Sequence, residues 1–165
     1  MESLLSSVRR DAHAQPPPLS AVVLGIGNTL LCDEGAGVHV LAALSGRDEL
    51  AGVTLVDGGT LNFTLLEYLE AAAALIVVDA GNLNAAAGTV CSFEGQAMDS
   101  FLVRTDRHRT VHEVGLLDLL AIARLREALP ARRALVCIQP ARVEWGLTVT
   151  PAGLALLKHA RAMLD

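Results

Sequence analysis

Aromatic side chains are scarce in this 165-residue chain, at 3% of residues, while hydrophobic residues reach 52%. Much of that is alanine and leucine, so the core has to be aliphatic, with helices lying close on a sheet. Basic blocks are missing as well. A net charge of −5 with no Lys/Arg run leaves no phosphate-binding footprint, which argues against nucleic acid as a partner. No run has the length and polarity of a membrane span; "AAAALIVVDA" (71–80) is too short and carries an acid. Cys32, Cys91 and Cys137 share no metal-ligand spacing, and their odd number fits a reduced, cytoplasmic protein. Arg9-Arg10 is followed by no apolar stretch of the kind an export signal carries.

What is present alternates. After a tail over 1–20, whose Pro16-Pro17-Pro18 run forbids helix, a domain is expected over 21–165. Short apolar runs at 21–26, 53–56, 74–80 and 134–139 read as strands buried on both faces, and 88–93 as a weaker edge strand. Amphipathic patterns lie between them near 34–46, 60–72, 111–129 and 151–164. Asp33 and Thr60 stand where they would cap the first two helices. Thr110 with Glu113 forms a capping box, and Thr150-Pro151 supplies a cap and a first-turn proline. The fold class is therefore α/β: a single domain, three layers αβα, on a twisted, mostly parallel sheet of about five strands.

In such sheets the ligand crevice opens at the carboxyl ends of the strands, where the chain order switches direction. The first strand ends there in Gly25-Ile26-Gly27-Asn28 and then Asp33-Glu34; the second ends in Asp57-Gly58-Gly59, the third in Asp79. A dinucleotide fingerprint would need glycine at Leu30, and two carboxylates at a helix entrance repel a pyrophosphate. No Walker lysine follows. Carboxylates with an imidazole suit a divalent cation instead. Of five histidines, His13 lies in the tail, His39 is five residues past Glu34, His159 is in the last turns, His108 lies just before the capping-box helix and His112 in its first turn. Each acid also has a structural reading: Glu34 could complement a helix dipole, Asp79 could cap a turn, and Cys32 could be a small filler.

The blocks "VLGIGNTLLCDEGAGVHV" (23–40), "LVDGGT" (55–60), "LIVVDA" (75–80), "TVHEVGLLDLL" (110–120) and "GLTVTP" (146–151) occur in one order. In this they resemble the maturation endopeptidases of nickel–iron hydrogenases, from about residue 21 to about 164. The resemblance implies an enzyme, a hydrolase of peptides. It would remove the C-terminal extension of the nickel-loaded hydrogenase large-subunit precursor after nickel insertion. It carries over Glu34, Asp79 and His112 as the metal-contacting, catalytic cluster, and associates Asp57, Gly58 and Gly59 with substrate recognition, beside Gly27 and Asn28. Asp33 would then cap the helix while Glu34 faces the cation.

The nickel would arrive with the substrate and bind transiently, with no tightly held cofactor. Cleavage needs a water whose attack is assisted either by the metal or by a carboxylate acting as base, aspartic-type. No Ser-His-Asp or Cys-His arrangement and no H-E-x-x-H motif offers another route. A monomer is expected. The rival readings are a non-catalytic nickel-binding chaperone and a peptidase of related fold acting on another protein.

Overall fold

The computed structural model describes residues 21–46, 50, 52–60, 63–103, 111–156 and 159, the side chains of 111–114 excepted. The tail expected over 1–20 lies outside them. The first strand, β1 (Ala21–Ile26), is followed by a 3-10 turn at Cys32–Gly35 and helix α1 (Ala36–Leu44). Strand β2 (Val53–Gly59), a second 3-10 turn at Phe63–Leu65, helix α2 (Leu66–Ala71) and strand β3 (Ala74–Ala80) come next. Strand β4 (Val90–Glu94), helices α3 (Gly95–Val103) and α4 (Val111–Leu125) and strand β5 (Arg132–Ile138) complete the order. No helix among the described residues is long and apolar enough to cross a membrane.

The five strands form one sheet in the order β2-β1-β3-β5-β4, parallel except for the edge strand β4, which runs antiparallel to β5. β1 thus has β2 on one side and β3 on the other, and the direction of winding switches beside it. Alternation along the strands divides the core into two layers. Val22, Leu24 and Ile26 of β1, with Leu75 and Val77 of β3, pack under α2, α3 and α4 through Leu69, Met98, Leu102, Leu116 and Leu120. Val23, Val78, Val136 and Ile138 face α1 through Val40, Leu41 and Leu44, and also meet Leu156. Scarce aromatics are concentrated at the edge, where Phe93 of β4 stacks on Phe101 of α3 at 4.2 Å.

Two expectations need correction. Helix α3 lies in "GQAMDSFLV", where no helix was expected. Its start signal is hidden because β4 runs straight into it at Gly95, whose φ of 48° turns the chain without a loop. Thr60 does not cap the second helix: α2 starts at Leu66 with Leu65 at the cap position and no side-chain cap bond, the turn before it being 3-10. The helix expected after Thr110 begins at Val111, but the Thr110 and Glu113 side chains lie outside the described residues.

The helix that leads out of the site is set by two glycines. Gly25 of β1 and Gly37 of α1 face each other; a Cβ on Gly37 would collide with the carbonyl oxygens of Val78 and Ile26. The first turn of α1 therefore lies directly on the carboxyl ends of β1 and β3. Alanine at 37 gains about 1 kcal/mol of helix propensity. It should lose about 3 kcal/mol to the overlap with backbone that cannot move aside. Urea unfolding of Gly37→Ala should show net destabilisation; a variant more stable than the parent would mean that α1 shifts freely on the sheet.

Candidate functional site

Parallel register lines up Asp57 of β2, Gly25 of β1, Val78 of β3 and Val136 of β5 in one row near the carboxyl edge. Beyond that row the chain bends. A bulge between Gly25 and Ile26 brings Ile26 opposite Gly59, and the Gly27 amide donates to the Gly59 carbonyl at 2.8 Å. The exposed Asp57 side chain accepts the Gly59 amide at 2.9 Å, holding the Asp57-Gly58-Gly59 turn against β1. Gly27 sits at φ 137°, and a Cβ there would overlap the Glu34 carbonyl. Asn28 Oδ1 accepts the Leu30 amide at 3.0 Å, so the loop doubles back at once.

This folding-back places Glu34, half-buried, in the 3-10 turn over the end of β3, with which that turn is in contact. Asp79 is the penultimate residue of β3, 2% exposed, on the face shared with Leu75 and Val77. One of its oxygens, Oδ1, accepts the Ala80 amide at 2.8 Å. α4 connects through 126–131 to the start of β5, which is parallel to β3, so the N-terminus of α4, with His112, belongs to the carboxyl end of the sheet. Glu34, Asp79 and the His112 backbone thus share one end of the molecule. Among the described residues no three His, Cys, Asp or Glu side chains converge as metal ligands, and the His112 imidazole lies outside them.

Of the other histidines, His39 and His159 are among the described residues. His159 bonds Ser92 of β4 through Nε2 at 3.2 Å. The Nε2 of His39, on α1, is buried with no hydrogen-bond partner. His13 and His108 lie outside the described residues.

Asp33 does not cap the first helix. Neither the 3-10 turn nor α1 has a side-chain cap bond, and Asp33 is 0% exposed, turned the other way. Its carboxylate accepts four hydrogen bonds from the far end of the chain. Oδ2 takes the amides of Ala141 (2.9 Å) and Arg142 (3.2 Å) and the Thr150 hydroxyl (2.7 Å). Oδ1 takes the Thr150 amide at 2.7 Å. Thr150 in turn caps the following turn, its Oγ1 accepting the Gly153 amide at 3.4 Å. Gly153 must be glycine: a Cβ would lie 2.6 Å from Asp33 Oδ1.

Backbone pairing reinforces the clamp. Asp33 donates to the Arg142 carbonyl at 3.1 Å, Cys32 to Gly146 at 2.8 Å, and Gly146 to Leu30 at 2.9 Å, a parallel bridge between Leu31 and Gly146. Cys32, buried and at φ 49°, is the small filler expected; a Cβ on Gly146 would stand 2.7 Å from its sulfur. The 141–145 stretch, unassigned by sequence reasoning, and the 146–150 stretch that follows it are therefore part of this end of the molecule. The signal that could have found them is Thr150 and two glycines recurring opposite an acid.

Burial pushes the Asp33 carboxyl up, but the bonds from the Thr150 hydroxyl and amide and from the Ala141 and Arg142 amides outweigh it and hold the pKa below 3.8. A depressed folded pKa contributes stability that is complete above the unfolded value and is lost as pH falls through the lower folded one. Asp33→Asn keeps the shape but sets an NH2 group against donors. It should cost about 3 kcal/mol at neutral pH. In urea titrations the gap between parent and variant should narrow as pH drops below about 3.8. A gap that is constant down to pH 2 would show that the charge is not what holds the segment.

The family model of the hydrogenase maturation proteases matches residues 38–161. The hydrogenase expression/formation protein HupD of Rhodobacter capsulatus is 36% identical over 137 residues, 82% of this chain and 64% of that protein. The hydrogenase 2 maturation protease of Escherichia coli is 31% identical, with 84% of each chain covered. Among solved structures, the hydrogenase maturating endopeptidase HybD from E. coli has a TM-score of 0.76 at 28% identity, covering 88% of this chain and 91% of that one. The chain spans less than two thirds of the HupD protein's length.

Proposed function

This chain belongs to the hydrogenase maturation protease family, and on that premise we propose that it is the endopeptidase that trims a nickel–iron hydrogenase large-subunit precursor. The observation that carries the reading is the placement of Glu34, Asp79 and the start of α4 at one end of the sheet, around a loop fixed by Asp33.

The substrate is the nickel-loaded precursor. Its nickel docks against Glu34, Asp79 and His112, whose oxygen and nitrogen atoms suit that ion. Docking sets the peptide to be cut beside these residues, and the Gly27-Asn28 loop and the Asp57-Gly58-Gly59 turn lie along its path. Water adds to the carbonyl carbon, the C–N bond breaks, and the leaving amine takes up a proton. The products are a large subunit with a new C-terminal carboxylate and the released extension. A carboxylate takes the proton from the water, or the ion makes that water more acidic; both routes require the same three residues. Three protein ligands at an open crevice leave positions for the substrate's own ligands, so the resting enzyme holds no tightly bound metal. The protein works as a cytoplasmic monomer.

The test is incubation with nickel-loaded precursor, reading the mass of its C-terminus. Glu34→Gln, Asp79→Asn and His112→Ala should each slow processing on the order of 100-fold or more. His159→Ala, which loses only its bond to Ser92, should process within about twofold of the parent. Elemental analysis of the isolated protein should find no stoichiometric metal. Normal processing by a folded His112→Ala protein would remove that residue from the mechanism. Tight nickel binding without any cleavage would favour a chaperone instead.

A further inference from the structure

The segment that Asp33 holds down is apolar on its outer side. Trp145 is 80% exposed, Leu147 72% and Val143 53%; Leu30, across the bridge, is 47% exposed. Exposed apolar side chains scattered singly need no explanation, but here four large ones stand on two short segments joined by a bridge. Trp145 is also the only tryptophan in the chain.

The backbone beside the bridge is also unpaired. Gly146 directs both its amide and its carbonyl inward, to Leu30 and Cys32. On either side of this single bridge, Trp145 and Leu147 make no backbone hydrogen bond among the described residues. Open amides and carbonyls flanked by apolar side chains are the combination that captures an extended polypeptide as an added strand.

Position and stiffness select the occupant. The inner partner, Leu31-Cys32, runs directly into Asp33 and Glu34. The outer segment is pinned at both ends by one carboxylate, at Ala141-Arg142 and at Thr150, so little ordering remains to be done on binding. Its charges are already compensated, Arg142 pairing with Glu144 at 3.4 Å, which suits an uncharged stretch of chain.

We propose that the 143–147 edge receives, by strand addition, an apolar extended segment of the precursor next to the bond to be cut, with Trp145 and Leu147 as specificity residues. This rests on the peptidase reading above. Both side chains are exposed, so Trp145→Ala and Leu147→Ala should fold and melt like the parent. With nickel-loaded precursor, each should raise KM about tenfold or more while kcat stays within about twofold, the pattern of lost substrate binding. Leu125→Ala, equally apolar and 84% exposed at the other end of the sheet, should leave both constants unchanged.

A second readout does not need cleavage. Added to Glu34→Gln protein, a tryptophan-free peptide spanning the precursor junction should move the Trp145 emission to the blue. Unchanged KM in both variants, with the parent cutting normally, would overturn the docking proposal and leave the peptidase reading intact. If the parent fails to cut, the peptidase reading falls, and an emission that does not move then removes the docking surface too. A parent that dimerises through Trp145, with monomeric Trp145→Ala showing parental KM, would assign the edge to a second copy and overturn the proposal.

Discussion

One buried carboxylate organises the carboxyl end of the sheet. Asp33 is removed from water completely, a costly state for a charge unless it is hydrogen-bonded. It is satisfied here by three backbone amides and one hydroxyl, all supplied by the 141–150 segment. The loop after β1, the segment after β5 and the turn opened by Thr150 consequently share a single anchor. At the amino end of the sheet a different solution is used. There Asp99 takes a bidentate bond from Arg133 at 2.6 and 2.9 Å and a further contact from Arg124. Asp33 is thus compensated by neutral dipoles, whereas Asp99 is held by two guanidinium groups.

Much of the scaffold was legible because it is written locally. The run 74–80 is a strand over those very residues, and 21–26 likewise, since buried parallel strands need unbroken apolar runs. Edge placement of the weak strand followed from its glycine borders, and β4 lies at the edge. α3 escaped because a helix that starts on the last residue of a strand has no loop to announce it. The second helix was drawn too long because its first turn is 3-10, whose three-residue spacing resembles α periodicity over so short a span.

The site divides along the same line. Glu34 and Asp79 were singled out by asking what stands at the ends of strands, and their placement at that end is answered within a few residues of each strand. Asp33 was misassigned because the same local logic offers a helix cap, whereas its partners lie 108 to 117 residues away. The 143–145 stretch was passed over because it has no periodicity. Its meaning comes from the bridge between Leu31 and Gly146, which no pattern within either segment reveals.

That sequence separation also sets an order of assembly. Contacts between distant positions must wait for the loops between them to close, so they form late. The β1–β2 and β1–β3 ladders and α1 are assembled from the first half of the chain. The Asp33 bonds need β5 in place and the chain complete beyond Thr150. A nascent chain therefore carries Asp33 and Glu34 on an unanchored loop until Thr150 has emerged and folded back on β1.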